Sequence, residues 1–422
     1  MALHSCVVIR CPDIVASQNF YEEIGLELCS VFPADAPREV SLTFEGRLNI
    51  LLCKQETGDV EHAKGAELRI ALEEGTPLRA SVQAPEGTRI SFFEKRATSL
   101  QVVPSDLVPS LSLAVSSGGT AEGDGNSKRS PSATTESGGD ERFHAGRAGM
   151  LYSDLIPDRQ GGRFVASRIR IPGPKVTVPD KVHFHDVRLQ FLYCVRGSAL
   201  LVYEDQGEPF VMQRGDLVLQ PPQIRHRVLE TYDDLEVIEV SSPAEHMTTI
   251  DREMKLPTAA VNTQRVYNGQ KFLWHRAVPS EPCEDLGVHA ASGGIASARL
   301  LRQGSVESGG LCAGLRVRNE GEDLLLWVVV DLEGSLTVRV EEENREGEVT
   351  KKQKAERTTG AMSLSSGDSV CVPPGYCLAV ETLKLKAPQD RVEGGDGGSG
   401  SAVRILEVRV EPGGSLCPCH PP

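Results

Sequence analysis

Two histidines one residue apart, His183 and His185, and a third at His226 are the side chains best placed to do chemistry. On an extended strand successive side chains alternate, so positions i and i+2 leave the same face. Val182-His183-Phe184-His185 therefore aims two imidazoles in one direction. Gln190 follows five residues after His185, and His226 comes after the turn Pro221-Pro222-Gln223-Ile224-Arg225. An imidazole-rich, thiolate-free set of this kind suits one divalent ion of Fe, Mn, Ni, Cu or Zn, and the spacing does not choose among them. Arg188, Tyr193, Tyr203 and Arg225 flank the same stretch and are candidates for gripping an anionic or carbonyl substrate. For each of the four, a rim or surface position on an alternating strand is an equally good reading.

Positioning three imidazoles around one point needs a curved sheet. From Arg163 onward the chain reads as short strands broken by Pro172-Gly173, Arg196-Gly197, Gln206-Gly207, Arg214-Gly215 and Pro221-Pro222. After an irregular stretch, a second batch runs from Ile295 to Val410. Many short strands with little helix argue for two antiparallel barrels or jelly rolls.

The order His183-x-His185, Gln190, Gly197, then Gly215-Asp216 and Pro221-Pro222-Gln223-Ile224-Arg225-His226 resembles the two motifs of the cupin family, H-x-H-x4-E with a later glycine and G-D-x4-P-P-G-x-x-H. The resemblance covers about residues 160–245. It implies a β-barrel holding a divalent metal on His183, His185 and His226, with Gln190 where the family usually has Glu and Gln223 where it usually has Gly. An amide is a weaker, neutral ligand, so such a site would keep the metal's full charge. Gln223 suggests that the turn before His226 does not need a positive φ.

The later batch repeats the outline. Ser366-Gly367-Asp368 through Pro373-Pro374-Gly375 parallels Arg214–Gln223, and Leu324–Gly334 parallels Phe191–Gly197. Its ligand positions fall on Glu320, Glu322, Trp327 and Leu378. The reading is a bicupin with one metal-binding and one structural half.

Before the barrels, Cys6–Arg10, a helix Ile14–Ile24 capped by Asp13 and stopped by Gly25, a hairpin Val40–Phe44 with Arg47–Cys53, and strands Leu68–Leu72 and Thr88–Phe93 form a small α+β unit. Its opening, Val8-Ile9-Arg10-Cys11-Pro12-Asp13-Ile14 with Phe20, Tyr21 and Gly25, is similar to the vicinal oxygen chelate (glyoxalase-like) family. Cys6 stands where that family has His, and Glu94 alone matches a ligand carboxylate, so a packing or dimerising role is expected. The fold expected is thus mainly β, two cupin-type barrels preceded by a glyoxalase-like domain. Its divisions are 1–105, a flexible linker 106–145 with its Gly/Ser/Thr-rich centre at 115–142, barrels at 146–255 and 256–412, and a tail 413–422.

A formal charge of −14 leaves no dense Lys/Arg face for phosphates, which argues against a nucleic-acid partner. No run reaches the ~18–20 apolar residues of a membrane helix. Eleven scattered cysteines do not form a disulfide framework, which favours a reducing, cytoplasmic setting. Cys417-Pro418-Cys419-His420 reads as part of a frayed tail. The functional expectation is an Fe(II)-type cupin dioxygenase acting on a small-molecule substrate, with Fe(II) favoured over Mn(II), Ni(II), Zn(II) or Cu(II). A Lewis-acid isomerase or lyase and a non-catalytic small-molecule binder are the alternatives, and the chain is read as a homodimer candidate through its front domain.

Overall fold

The computed structural model describes residues 4–54, 67–72, 82–83, 89–94, 143–342, 361–386 and 403–412, except 12, 24–25, 45–47, 147–148, 157, 279–281 and 306. The stretch 115–142, the tail 413–422 with its Cys-Pro-Cys-His sequence, and Gly25 lie outside the described residues. The eight cysteines whose side chains are described are all free. Among the described residues no helix is long and apolar enough to cross a membrane.

The chain is mainly β, and its two batches of strands fold into two barrels. In the first, the long strands Leu189–Tyr203 and His226–Ser242 pair antiparallel along most of their length. Val165–Ile171 extends the sheet on the far side of His226–Ser242. His183–His185 closes against it, with His183 opposite His226 in register. Two motif residues over forty positions apart in sequence are thereby direct neighbours. Gly197, expected at a turn, lies within Leu189–Tyr203 at a register shift; it has φ +68°, and a Cβ there would sit 2.4 Å from the Tyr232 carbonyl oxygen, so only glycine fits.

The second barrel is a sandwich of a five-stranded and a four-stranded sheet. Its inner strand Leu324–Leu332 explains the unbroken run Leu-Leu-Leu-Trp-Val-Val-Val. Leu325, Trp327 and Val329 fill the barrel's own core, while Leu324, Leu326 and Val328 pack with Phe191, Tyr193 and Leu219 of the first barrel. A strand buried on both faces has no polar side to show. The two barrels thus share one apolar layer. The start of the second barrel departs from expectation. Residues up to His275 belong with the first barrel, because Leu273–His275 pairs with Leu217–Leu219, and Tyr267, Phe272 and Trp274 pack into the first barrel's core.

The front unit has its helix at Ile14–Glu23, where Asp13 Oδ1 accepts from Ala16 N at 2.9 Å, a side-chain cap. The hairpin forms at Glu39–Phe44 and Leu48–Lys54. One strand was not anticipated. Glu27–Phe32 pairs with Glu39–Phe44 on one side and, on the other, with the first-barrel strand Thr248–Ile250. The front sheet is therefore continuous with the barrel. Ion pairs Lys181–Glu22, Arg38–Glu245 and Arg159–Asp35 reinforce the seam.

Candidate metal centre

The three histidines meet. His183, His185 and His226 are all buried, their ring centroids lie 4.3–5.1 Å apart, and their candidate ligand nitrogens lie within 4.8 Å of one another. Among the described residues this is the one such group. Each ring is oriented through Nδ1. His183 Nδ1 lies 2.7 Å from the Lys181 carbonyl oxygen, and His226 Nδ1 lies 2.9 Å from that of Ile224. A carbonyl only accepts, so each Nδ1 carries the proton and Nε2 carries the lone pair. His185 Nδ1 lies 2.9 Å from Thr248 Oγ1 on the strand that joins the front unit. Such outer partners fix the tautomer a metal needs. The donor set fits one divalent transition ion.

Gln190 lines the same cavity and is 2 % exposed. Its Nε2 donates to Glu239 Oε1 at 3.1 Å, while its Oε1 is buried without a hydrogen-bond partner. Turning the amide over would set oxygen against carboxylate, so Glu239 holds the amide with Oε1 outstanding. A buried acceptor left open is expensive unless a ligand completes it. Glu239, which also accepts from Ser241 Oγ at 2.8 Å, was missed in the sequence. So was His246, whose ring meets that of His185 edge-on at 5.3 Å.

Of the four residues expected to grip substrate, Tyr203 alone lines the cavity. Its ring stacks on His226 with centroids 5.4 Å apart, and its hydroxyl accepts from Gln220 Nε2 at 2.9 Å. Burial pushes its phenol well above the ordinary value, so it stays protonated. The expectation is corrected for the others. Tyr193 faces the layer between the barrels, where burial pushes its phenol up to about 12 and Arg404 reaches its hydroxyl. Arg225 points away from the cavity, bonding Asp251 at 3.0 Å and lying over the Phe184 ring. Arg188 is partly buried, which lowers its pKa, and lies in the field of Asp323 and Arg163 instead. The reason is local. Gln190 and Leu192 line the cavity, as do Ala199, Leu201 and Tyr203, because register shifts between Cys194 and Ser198 reverse the alternation within one strand.

Gln223 also departs from expectation. It adopts φ +62°, the left-handed conformation the family's glycine would take. Its backbone N donates to the His185 carbonyl at 3.1 Å and its side chain to Asp186 Oδ1 at 3.0 Å, which hold the strained turn beside His226.

In the second barrel the corresponding positions are occupied differently. Trp327 and Leu378 are fully buried in its core, and Trp327 Nε1 donates to Glu407 Oε2 at 2.9 Å. Glu322 is paired with Arg409, and Glu320 is exposed. In the front unit, Cys6 lies opposite Arg69 in the sheet and Glu94 ends the strand Arg89–Glu94. Their side chains lie outside the described residues.

The first-barrel cavity measures about 100 Å³. Its wall is mainly apolar, including Met150, Ile169, Leu201, Met212 and Val237, and the front unit adds Ala34 and Asp35.

Residues 173–241 match the family described as Cupin domain. This segment is similar to a cupin domain. No curated protein matches the chain. Among solved structures, procruciferin, an 11S globulin from Brassica napus, is similar at 11% identity with a TM-score of 0.40, over 62% of this chain and 80% of that one. An oxalate decarboxylase–formate complex from Lactobacillus farciminis is similar at 11% identity and 0.38, over 62% and 81%. A mutant salicylate 1,2-dioxygenase from Pseudoaminobacter salicylatoxidans is similar at 16% and 0.35, over 59% and 70%. The cupin domain found by sequence contains all three histidines and Gln190, and its boundaries fall inside the first barrel.

Proposed function

We propose that this chain is a metal-dependent cupin enzyme, a mononuclear Fe(II)-type dioxygenase acting on a small oxygen-containing organic substrate. The observation that carries the reading is the convergence of three imidazoles, two of them with their Nε2 lone pairs fixed by backbone carbonyls, on a largely apolar cavity. His183, His185 and His226 would hold the metal, and Gln190 Oε1 is the fourth candidate oxygen. Iron(II) bound there would supply the one-electron chemistry that reaction with dioxygen requires. The protein's own contributions are positional. Tyr203 packs against His226 and keeps its ring in place. The largely apolar wall suits dioxygen, which is itself apolar. Glu239, whose Oε1 is engaged by Gln190 and Ser241, offers Oε2 to take a proton from a substrate hydroxyl.

The same carboxylate favours a second reading. A base beside a Lewis-acidic ion is what a cupin isomerase or lyase would use. Oxygen uptake after anaerobic Fe(II) loading separates the two, run on a panel of enolic and phenolic compounds. The dioxygenase reading expects consumption that depends on Fe(II) and vanishes in His185→Ala. Turnover without oxygen, supported equally by Mn(II), Ni(II) or Zn(II), would replace it by the isomerase or lyase reading. Full metal occupancy with no turnover would point to a non-catalytic binder.

A further inference from the structure

No Lys or Arg is among the described residues that line the cupin cavity. Neither arginine that flanks it in sequence is in its wall: Arg225 bonds Asp251, and Arg188 lies in the field of Asp323 and Arg163. The cavity's charged side chains besides its histidines are instead carboxylates, Asp35 and Glu239. Asp35 is neutralised from behind by Arg159. Glu239 has Gln190 and Ser241 as its hydrogen-bond donors, both neutral. The other polar groups in the wall already have partners: Gln220 bonds Tyr203, and Ser167 bonds Asp154 at 3.1 Å. Among the fully buried side-chain atoms of the wall, Gln190 Oε1 is the one without a partner.

Beyond the histidines, therefore, the cavity offers a ligand apolar contact and nothing to balance an anion. A carboxylate or phosphate placed there would lose its water and face Glu239 uncompensated, whereas apolar surface gains from burial. Resting on the metal reading above, we infer that the site takes a small molecule with one chelating oxygen end and an uncharged, apolar body. Catechol-like, enolic or hydroxyketone compounds fit. Dicarboxylates, sugar phosphates and chelators with a carboxylate at the far end do not.

Three probes with the same metal-binding head test this: catechol, 3,4-dihydroxybenzamide and its isostere 3,4-dihydroxybenzoate, which differs from the amide in charge. Met150 and Met212 line the cavity, and the chain has six methionines in all, so 13C-methyl methionine NMR of the full-length, metal-loaded protein reads occupancy without turnover. The metal content of each sample is measured alongside. Catechol and the amide should shift both methyl resonances and bind about tenfold or more tightly than the carboxylate. Glu239→Gln should narrow that gap, because the repelling charge is gone. Equal or tighter binding of the carboxylate to metal-loaded protein, or no response of either methyl to catechol, would overturn the inference while leaving the metal reading intact. Failure of the protein to take up metal at all would overturn the metal reading itself, and the inference with it.

Discussion

At the level of single residues, the position that most shapes the site is Gln190. Its amide is held by Glu239, so the negative charge that the family's usual acid would bring stands one side chain away, on the neighbouring strand. Replacing Gln190 by Glu would put two carboxylates at hydrogen-bond distance. In metal-free protein they repel, and one must stay protonated or move. A bound divalent ion relieves that repulsion. Gln190→Glu should therefore lower the stability of metal-free protein by about 1–3 kcal/mol and enlarge the stabilisation gained on adding metal. Paired thermal melts with and without metal check this. An unchanged metal-free melt would mean that Gln190 and Glu239 are not in contact.

Individual elements decide which residues were legible in the sequence. His183 and His185 could be read because a three-residue strand keeps its alternation, and His226 because it closes a recognisable turn. Tyr203 and Tyr193 could not be told apart, since the register shifts after Cys194 swap inside for outside and leave no mark on the residue types. Glu239 lies on a strand that shifts against its partner, so counting from His226 gives no face for it. Two acids, Glu236 and Glu239, share the run Leu235–Val240, and their residue types do not say which one lines the cavity. Glu27–Phe32 was overlooked because Leu-Cys-Ser-Val-Phe is too short to show a period, and with it went the contribution of Ala34 and Asp35 to the cavity. The two-barrel outline was legible from turn spacing, whereas the end of the first barrel was not, because Leu273–His275 joins it from beyond an irregular stretch.

The central strands of the second barrel carry a testable charge of their own. Glu407 is 1% exposed, where burial alone would raise its pKa, yet Arg299, Arg409 and Trp327 hold it below the ordinary 4.5. A carboxyl group depressed in the folded state stabilises above its unfolded value and loses that contribution as the pH falls through the folded one. Glu407→Gln should cost about 2 kcal/mol near neutral pH, discounted because Arg299 is partly exposed. In urea unfolding, the gap between wild type and variant should close as the pH drops below 4.5. A gap independent of pH would mean that the loss comes from packing around Trp327 rather than from charge.

For the whole molecule, the two barrels divide the work. They share an apolar layer built from Phe191, Tyr193, Leu324 and Leu326. One barrel opens onto three imidazoles, and the other is filled by Trp327 and Leu378 at the matching positions. The front unit is joined to the first barrel through Thr248–Ile250, the strand whose Thr248 also orients His185. Folding of the front sheet and geometry of the centre are thus coupled through one residue. With one set of three converging imidazoles, the chain should hold one transition-metal ion. Elemental analysis of metal-loaded, desalted wild-type protein and of His226→Ala tests it most directly. Wild-type protein should carry close to one ion per chain, and the variant should lose it. Two tightly held ions, or an ion retained by His226→Ala, would contradict it.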